Sequence, residues 1–248
     1  MRYKLARHVK ALQNGLVSLE AYYTQLKAAG SSTGQPLRNP TLPYPCSFSS
    51  NPIRNFTYDE RGEGHNLVFF GKFQDGDCEA ICIKFTRYYC QQAHEFCASK
   101  GRAPKLYTVE SYPGGWYMVV MDDIRKDYVS LFDFIDVQSE SQDYADVRNS
   151  LSEEISAFLS DLHQQGLVHG DIRNTNIMVR RSGSDVAGAF QLLDFDWSGR
   201  IDEARYPLDI NTTTVKRPDG VAGNNLIEAA HDIQMLEYIW NVDYLGLV

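Results

Sequence analysis

The chain has 248 residues, of which 43% are hydrophobic and 23% charged, an ordinary composition for a folded globular protein. Its formal net charge of -8 argues against nucleic acid as a partner, because nucleic-acid binding calls for a basic surface. No apolar run reaches the roughly 18 to 20 residues of a membrane span, and no apolar block follows the N-terminus as in a signal peptide. We therefore expect an intracellular protein, cytoplasmic or nuclear, with no membrane partner.

The five cysteines indicate neither a metal site nor a disulfide framework. They are odd in number and contain no C-x-x-C pair; they are Cys46, Cys78, Cys82, Cys90 and Cys97. Reduced thiols are the simpler interpretation, and they agree with an intracellular compartment.

Two segments precede the main part of the chain. Residues 3–28 carry apolar side chains at steps of three and four, which predicts a helix with one apolar stripe that ends near Gly30. We interpret it as a docking helix. Residues 30–52 contain five of the nine prolines, so this stretch is predicted to be a surface linker and not a continuous helix or a central strand.

Short strands are predicted next. Leu67 to Phe73 and Cys78 to Phe85 flank a turn that contains glycine, which is typical of a hairpin. A polar, mixed helix is predicted from about Arg87 to Lys100. Lys105 to Glu110 and Trp116 to Met121 then form a second predicted hairpin. This part of the chain is therefore predicted to be rich in strands.

Helical periodicity returns in the remainder of the chain. Val147 to Gln165 places its apolar residues on one face, and Gly166 ends the predicted helix. Ile177 to Val179 and Phe190 to Leu193 are predicted strands, and Leu226 to Trp240 is a final helix. The second half is thus mainly helical, and the fold class is α+β.

The most informative string, L-V-H-G-D-I-R-N-T-N-I-M-V, begins at Leu167. It places Asp171, Arg173 and Asn176 in a loop between a long helix and an apolar strand. This resembles the kinase catalytic loop H-x-D-x-x-x-x-N. A second string, Leu-Leu-Asp-Phe-Asp, puts Asp194 at the end of a buried strand and resembles the kinase D-F-G metal site, with Asp in place of Gly.

A cation and a phosphate loop are expected upstream of these strings. Residues 80–84 read A-I-C-I-K and match the V-A-I-K pattern of kinases, with Lys84 on the strand face shared with Cys82. Gly62 and Gly64 lie where a glycine-rich loop belongs. Three motifs that match in the expected order form a pattern that chance explains poorly.

Together these strings resemble the protein kinase-like superfamily, and most closely the small kinase-like proteins of mushroom-forming fungi with an H-G-D catalytic loop. The resemblance covers about residues 55–240. It implies a two-lobed fold with a small twisted antiparallel sheet plus one helix, followed by a short, mainly helical lobe. The domains expected on this basis are an N-terminal helix and linker (1–54), an N-lobe (55–123) and a short C-lobe (124–248).

The resemblance also implies ATP and Mg²⁺ as cofactors and assigns the chemistry. Asp171 would accept the proton of the acceptor hydroxyl, and Arg173 would lie near the transferred phosphoryl group. Lys84 would bind the phosphates. Asn176 and Asp194 would hold the metal ion.

The other implied nucleotide contacts come from the strand-rich half. Gly62 and Gly64 would belong to the phosphate loop, Cys82 would pack against the adenine, and Glu95 would pair with Lys84. The implied hinge, whose backbone would contact the adenine, comprises Met121, Asp122 and Ile124.

The acceptor remains open at this point. A protein Ser/Thr hydroxyl is the first interpretation. Gly170 stands where most protein kinases have Arg, and small-substrate kinases of the aminoglycoside and choline type also read H-G-D, so a small-molecule hydroxyl is the second. The third is a pseudokinase that binds nucleotide or a partner without catalysis.

Overall fold

The computed structural model describes residues 2–30, 45–49, 52–64, 67–76, 78–138, 144–181 and 190–240. Its contacts divide the chain into two units, Met1–Pro45 and Cys46–Val248. The domain limits expected from the sequence stay a prediction. Among the described helices, none combines the length and apolarity needed to cross a membrane.

The first unit contains helix α1 (Arg2–Gly30), in agreement with the predicted helix. Its apolar side chains are solvent-exposed where the structure describes them, for example Leu12, Leu16 and Leu19. The docking role of α1 stays a prediction. Most of the predicted linker, residues 31–44, lies outside the described residues.

A six-stranded antiparallel sheet dominates the first part of the second unit, with the strand order β1-β2-β3-β4-β6-β5. Its strands are β1 (Ser47–Phe48), β2 (Arg54–Arg61), β3 (Val68–Phe73), β4 (Ala80–Thr86), β5 (Leu106–Tyr112) and β6 (Trp116–Asp122). Helix α2 (Gln91–Ser99) connects β4 to β5. Both predicted hairpins and the predicted mixed helix are present.

Strand β2 was not predicted from the sequence. Only Phe56 in this strand is fully buried, and most of its other side chains are polar, so the strand lacks the apolar alternation that a prediction depends on. Strand β1 lies within the segment predicted as linker. It occupies the sheet edge beside β2, which agrees with the exclusion of a central strand there.

The two faces of strand β4 have different environments: one packs in the hydrophobic core, and the other lines the cleft between the sheet and the helical half of the unit. Ile81 and Ile83 are fully buried on one face of the sheet. Cys82 and Lys84 alternate with them and are half-buried on the opposite face. This second face is turned toward the helical half of the unit, as the ion pairs of Lys84 described below show.

The second half of this unit is built on helices, as predicted. Its elements are β7 (Tyr128–Ser130), α3 (Leu131–Gln138), α4 (Tyr144–Gln164), β8 (Leu167–Val168), β9 (Ile177–Arg180), β10 (Phe190–Leu192), β11 (Gly199–Arg200) and α5 (Ala229–Ile239). Helix α4 buries an apolar face that includes Leu151, Ile155 and Leu159. Strand β7 and helix α3 are short, and the sequence did not predict them.

The pairing of β9 with β10 positions the candidate site. In this antiparallel pair Ile177 lies opposite Leu192. The backbone N–H of Leu193 also donates to the carbonyl of Asn176 over 2.8 Å. The residue before β9 and the residues after β10 are therefore brought to the same end of the hairpin.

Candidate active site

One buried carboxylate of α5 fixes the loop between β8 and β9 through hydrogen bonds to its backbone. Asp232 of α5 accepts hydrogen bonds from the backbone N–H groups of His169 and Gly170, each over 2.8 Å. Its Oδ2 also lies 3.0 Å from Nε2 of His163. Because Asp232 is only 1% exposed, these contacts fix the loop to the helical core.

Position 170 requires a glycine because of its backbone conformation and its close packing. Its φ is +84°, and a Cβ added there would lie 2.9 Å from Cδ1 of Ile227 and 3.1 Å from the carbonyl oxygen of Trp197. An Arg at this position would meet both the torsional and the steric obstacle. The H-G-D form of the loop is therefore a packing requirement in this protein.

Asp171 lies at the centre of a hydrogen-bonded group. Its Oδ2 accepts from Nη2 of Arg173 over 2.8 Å and from Nδ2 of Asn176 over 2.9 Å. Its Oδ1 accepts from Nη1 of Arg217 over 2.8 Å. The structure thus brings together three of the predicted residues and adds one, Arg217, that the sequence analysis missed.

Lys84 reaches across the cleft to the end of β10. Its Nζ lies 2.6 Å from Oδ1 of Asp194 and 2.8 Å from Oδ1 of Asp196. Thr86, which follows Lys84 on the same strand face, donates its hydroxyl to Oδ2 of Asp196 over 2.8 Å. Asp196, at the position of the kinase Gly, is therefore a second carboxylate of the site.

The charges of this group follow from burial and mutual attraction. Burial disfavours the ammonium of Lys84, but Asp194 and Asp196 outweigh it and raise its pKa above the ordinary value. Burial opposes ionisation of Asp194, yet Lys84 holds the pKa of Asp194 below its usual range. Burial and the charge of Asp194 raise the pKa of Asp196 to about 6, against the pull of Lys84.

The expected pair between Glu95 and Lys84 is not formed. Glu95 is exposed on α2 and accepts a hydrogen bond from the side chain of Gln91 over 2.7 Å. The helix turns the preceding residue, His94, inward instead. The partners of the Lys84 ammonium among the described residues are Asp194 and Asp196, which follow it by more than a hundred positions in the chain.

His94 connects α2 to the D-F-D segment. Its ring stacks on Phe195 with centroids 4.7 Å apart and an interplanar angle of 9°. Nε2 donates to the carbonyl of Pro104 over 2.7 Å, so Nδ1 is the acceptor for the hydroxyl of Tyr89 over 2.6 Å. Burial lowers the pKa of His94 to about 4, so the ring is neutral at physiological pH.

Phe195 also contacts the catalytic loop. Its ring centroid lies 5.3 Å from that of His169. Nε2 of His169 donates to the carbonyl of Leu193 over 3.0 Å, and its Nδ1 accepts from the N–H of Asp171. His169 therefore orients the loop, and the rings of His94, Phe195 and His169 connect α2 to it.

The predicted phosphate loop lies in the connection between β2 and β3. Gly62 donates its N–H to the carbonyl of Val68 over 2.8 Å, and Gly64 has a φ of +70°. Residues 65 and 66 lie outside the described residues. The connection joins the two strands that precede the strand of Lys84, which is where a phosphate loop is expected; its role stays a prediction.

The predicted hinge offers one backbone donor. The N–H of Asp122 donates to the carbonyl of Lys105, and the N–H of Asp123 donates to that of Ala80. The N–H of Ile124 makes no hydrogen bond within the described part of the chain. Of these three donors, Ile124 is therefore the one left for an adenine ring.

Cys82 lies beside this hinge, opposite Met121 in the pairing of β4 with β6. Burial and the charge of Asp123 raise the pKa of its thiol to about 12, although Lys84 acts in the opposite direction. The thiol is therefore protonated at neutral pH and unreactive.

Arg125 follows the hinge and was not predicted as a site residue. Its guanidinium lies 3.2 Å from the centre of the Phe70 ring and forms ion pairs with Asp123 and Glu60. Phe70 pairs with Cys82 across the sheet. Arg125 thereby joins the hinge to the strands that carry the predicted phosphate loop.

The carboxylates fit a magnesium ion that is shared with a nucleotide. Within the described ranges, no group of three or more His, Cys, Asp or Glu side chains is arranged to hold a metal alone. Oδ1 of Asp196 is buried and has the Lys84 ammonium as its ion-pair partner over 2.8 Å, so a metal ion at this carboxylate would share it with Lys84. Mg²⁺ is commonly held by one or two carboxylates together with substrate phosphates. Asp194, Asp196 and the side-chain oxygen of Asn176 match that pattern.

Comparisons with known proteins agree with this geometry. The model of the lipopolysaccharide kinase (Kdo/WaaP) family matches residues 118–216, which is less than half of the chain. That segment includes Asp171, Asn176 and Asp194. A comparison with curated protein sequences gives no significant match.

Among solved structures, the kinase PK-1 of Cydia pomonella granulovirus is similar. The two chains superimpose with a TM-score of 0.57 and are 16% identical, and the match covers 74% of this chain and 68% of the viral chain. This chain therefore has the two-lobed fold of a protein kinase. Both matches are to kinases, in agreement with the predicted class, an ATP-dependent phosphotransferase.

Proposed function

We propose that the protein transfers the γ-phosphoryl group of Mg-ATP to a hydroxyl group. The observation that carries this proposal is the contact of Lys84 with Asp194 over 2.6 Å, next to the hydrogen-bonded pair of Asp171 and Asn176. Phosphoryl transfer depends mainly on positioning and charge stabilisation, and these four groups supply both.

Each residue has a defined task in this proposal. Lys84 binds the phosphates, and Asp194 and Asn176 hold the Mg²⁺, which neutralises charge on the phosphates when bound. Asp171 accepts the proton of the acceptor hydroxyl, and Arg173 stabilises the transferred group. Asp196 keeps Lys84 in place, the task that the sequence analysis had given to Glu95.

The nucleotide enters between the two lobes. The adenine contacts the backbone of Ile124 in the hinge Met121 to Ile124 and packs near Cys82. The turn with Gly62 and Gly64 covers the phosphates. The N–H of Ile124, which has no hydrogen-bond partner among the described residues, and the half-buried face of β4 support this placement.

The acceptor is more specifically a small-molecule hydroxyl. Gly170, whose φ and packing exclude the Arg of most protein kinases, supports this choice over a protein Ser/Thr hydroxyl. The match of residues 118–216 to a family named for lipopolysaccharide kinases supports it as well. A pseudokinase is disfavoured because the ion pair of Lys84 and the group around Asp171 are complete.

The first experiment measures binding and transfer separately. The melting temperature should rise with Mg-ATP, because a ligand at a hundred times its dissociation constant stabilises the folded state by about 2.7 kcal/mol. Labelled ATP should then yield labelled product with a panel of alcohols. Lys84→Met should abolish transfer, whereas Lys126→Met, which changes an exposed lysine, should not. An unchanged melting temperature with millimolar Mg-ATP would contradict the proposal.

A further inference from the structure

Arg217 is a buried cation that the proposed phosphoryl transfer does not use. It comes from the segment between β11 and α5, and its side chain is 5% exposed. Nη1 donates to Oδ1 of Asp171 over 2.8 Å, and the guanidinium carbon lies 5.0 Å from the centre of the Trp197 ring. Nε points to the carbonyl of Asn211 at 3.5 Å.

The carboxylate of Asp171 is in direct contact with two cations. Two guanidinium groups, Arg173 and Arg217, share the one carboxylate. Among the described residues, neither guanidinium contacts a second carboxylate. Nε of Arg173 is buried without a hydrogen-bond partner in that part of the chain. A buried excess of cationic donors is costly unless an anion satisfies it.

The geometry also limits how an acceptor can reach the base. Oδ2 of Asp171 already accepts from Arg173 and Asn176, both of which belong to the catalytic loop. Oδ1 accepts from Arg217 alone among the described residues. An acceptor hydroxyl that donates to Asp171 therefore takes the remaining lone pair of Oδ1, which places it beside the guanidinium of Arg217.

We propose that the acceptor carries a carboxylate or phosphate close to the reacting hydroxyl, and that Arg217 binds this anion while the hydroxyl occupies Oδ1 of Asp171. This inference rests on the proposed function and specifies its substrate as a small hydroxy acid or a phosphorylated alcohol. In the transfer the hydroxyl oxygen bonds to the γ-phosphorus, the bond to ADP breaks, and the proton passes to Asp171. A small acceptor fits better than a peptide, because the side chains of Asp171 and Arg217 are each only 5% exposed.

The test uses binding, so that it does not depend on turnover. The full chain with Mg-ADP is titrated calorimetrically at constant ionic strength with matched pairs: glycerate or glycerol 3-phosphate against glycerol, and gluconate or glucose 6-phosphate against glucose. At least one anionic member should bind more tightly than its neutral partner by roughly 10- to 100-fold, the range of a charge-assisted hydrogen bond. Serine peptides flanked by Asp or by Ala form a third arm.

The variants separate anion recognition from a role in holding Asp171. Arg217→Met should remove the preference for the anion, Arg217→Lys should keep part of it, and Arg205→Met, which changes an exposed arginine of the same segment, should keep all of it. With an accepted substrate, Arg217→Met should raise KM for the anionic acceptor far more than it lowers kcat. Equal losses of kcat with anionic and neutral acceptors would instead indicate positioning only.

The outcomes also distinguish failure of this acceptor proposal from failure of the proposed phosphotransferase function. Absence of Mg-ADP binding would contradict the phosphotransferase itself. Nucleotide binding without any preference for the anionic members, a preference that survives Arg217→Met, or a preference confined to the acidic peptides would each overturn the acceptor proposal. Melting of Arg217→Met with and without Mg-ADP verifies that this variant is folded.

Discussion

The two halves of the site carry opposite imbalances of charge. On the donor side, one ammonium, Lys84, faces two carboxylates, Asp194 and Asp196. On the acceptor side, one carboxylate, Asp171, faces two guanidinium groups. A site of the first kind suits a divalent cation, and a site of the second kind suits an anion. Each half is therefore complementary to a ligand of the proposed reaction.

The halves also differ in how they are built. The acceptor side belongs entirely to the helical half, where Asp232 of α5 braces the loop of Asp171. The donor side depends on the relative position of two lobes, because Lys84 lies on β4 and Asp194 follows β10. A change in lobe closure would alter the contacts of Lys84 while those of Asp171 persist.

The largest expected effect is the loss of phosphoryl transfer on substitution of Asp171, and it distinguishes the acceptor side of the site from the donor side. Asp171→Asn should lower phosphoryl transfer by about 10²- to 10⁴-fold, because the general base is lost, and it should leave Mg-ATP binding nearly unchanged. Asp194→Asn should lower both, since it removes a metal ligand. Initial rates with labelled ATP and melting shifts with Mg-ATP provide the two readouts, and Asp161→Asn, an exposed aspartate of α4, is the control. Wild-type activity in Asp171→Asn would exclude its role as base.

The second prediction concerns the partner of Lys84. Asp196→Asn should reduce transfer by roughly tenfold or more, because a charge-assisted contact of the buried ammonium is lost. Glu95→Gln should retain nearly full activity, since Glu95 is exposed and bonded to Gln91. Rates measured on both variants under the same conditions provide the comparison. The reverse order of sensitivity would show that α2 supplies the partner of Lys84 during turnover.

The third prediction concerns the contribution of His94, which packs α2 against Phe195, to the stability of the protein at different pH values. The unfolded chain binds a proton at His94 near its ordinary pKa of 6.5, whereas the folded protein binds it only near 4. The folded state therefore loses stability as the pH falls through this window, by about 2 kcal/mol at pH 5. His94→Phe should lower stability at neutral pH, through loss of two hydrogen bonds, and should flatten this acid dependence.

Urea unfolding of wild type and His94→Phe at about pH 7.5 and pH 5 measures the difference in slope. The variant Asp161→Asn, which changes an exposed aspartate of α4, should behave like wild type. An acid dependence that is unchanged in His94→Phe would assign the loss to other groups.

The smallest expected effect is a change in the rate at which the Cys82 thiol is alkylated. Because its pKa is raised to about 12, the thiol should be alkylated far more slowly at pH 8 than the exposed Cys46. Its rate should rise with pH, and Mg-ATP should lower it further at Cys82 but not at Cys46. Mass spectrometry of the alkylated peptides gives both rates. Alkylation of Cys82 that bound Mg-ATP leaves unchanged would place the nucleotide elsewhere.

Most of the central strands and long helices could be predicted from the sequence alone. Val147 to Gln165 and the two hairpins have strong apolar periodicity and clear turn residues, and the structure contains them. Strand β2 escaped prediction because a strand with one fully buried side chain carries too little periodic signal. The catalytic loop was recognisable because Asp171, Arg173 and Asn176 lie within one short segment.

The sequence by itself therefore determined the elements, the fold class and those groups of the site that are neighbours along the chain. Local spacing fixes which side chains share a loop or a strand face, so such groups can be inferred without coordinates. Only the tertiary structure decided that Arg217 reaches Asp171, that Asp196 replaces Glu95 beside Lys84, and that His94 stacks on Phe195. These contacts join residues separated by 46, 112 and 101 positions. They depend on how two lobes and a long segment pack, and no local pattern encodes that packing.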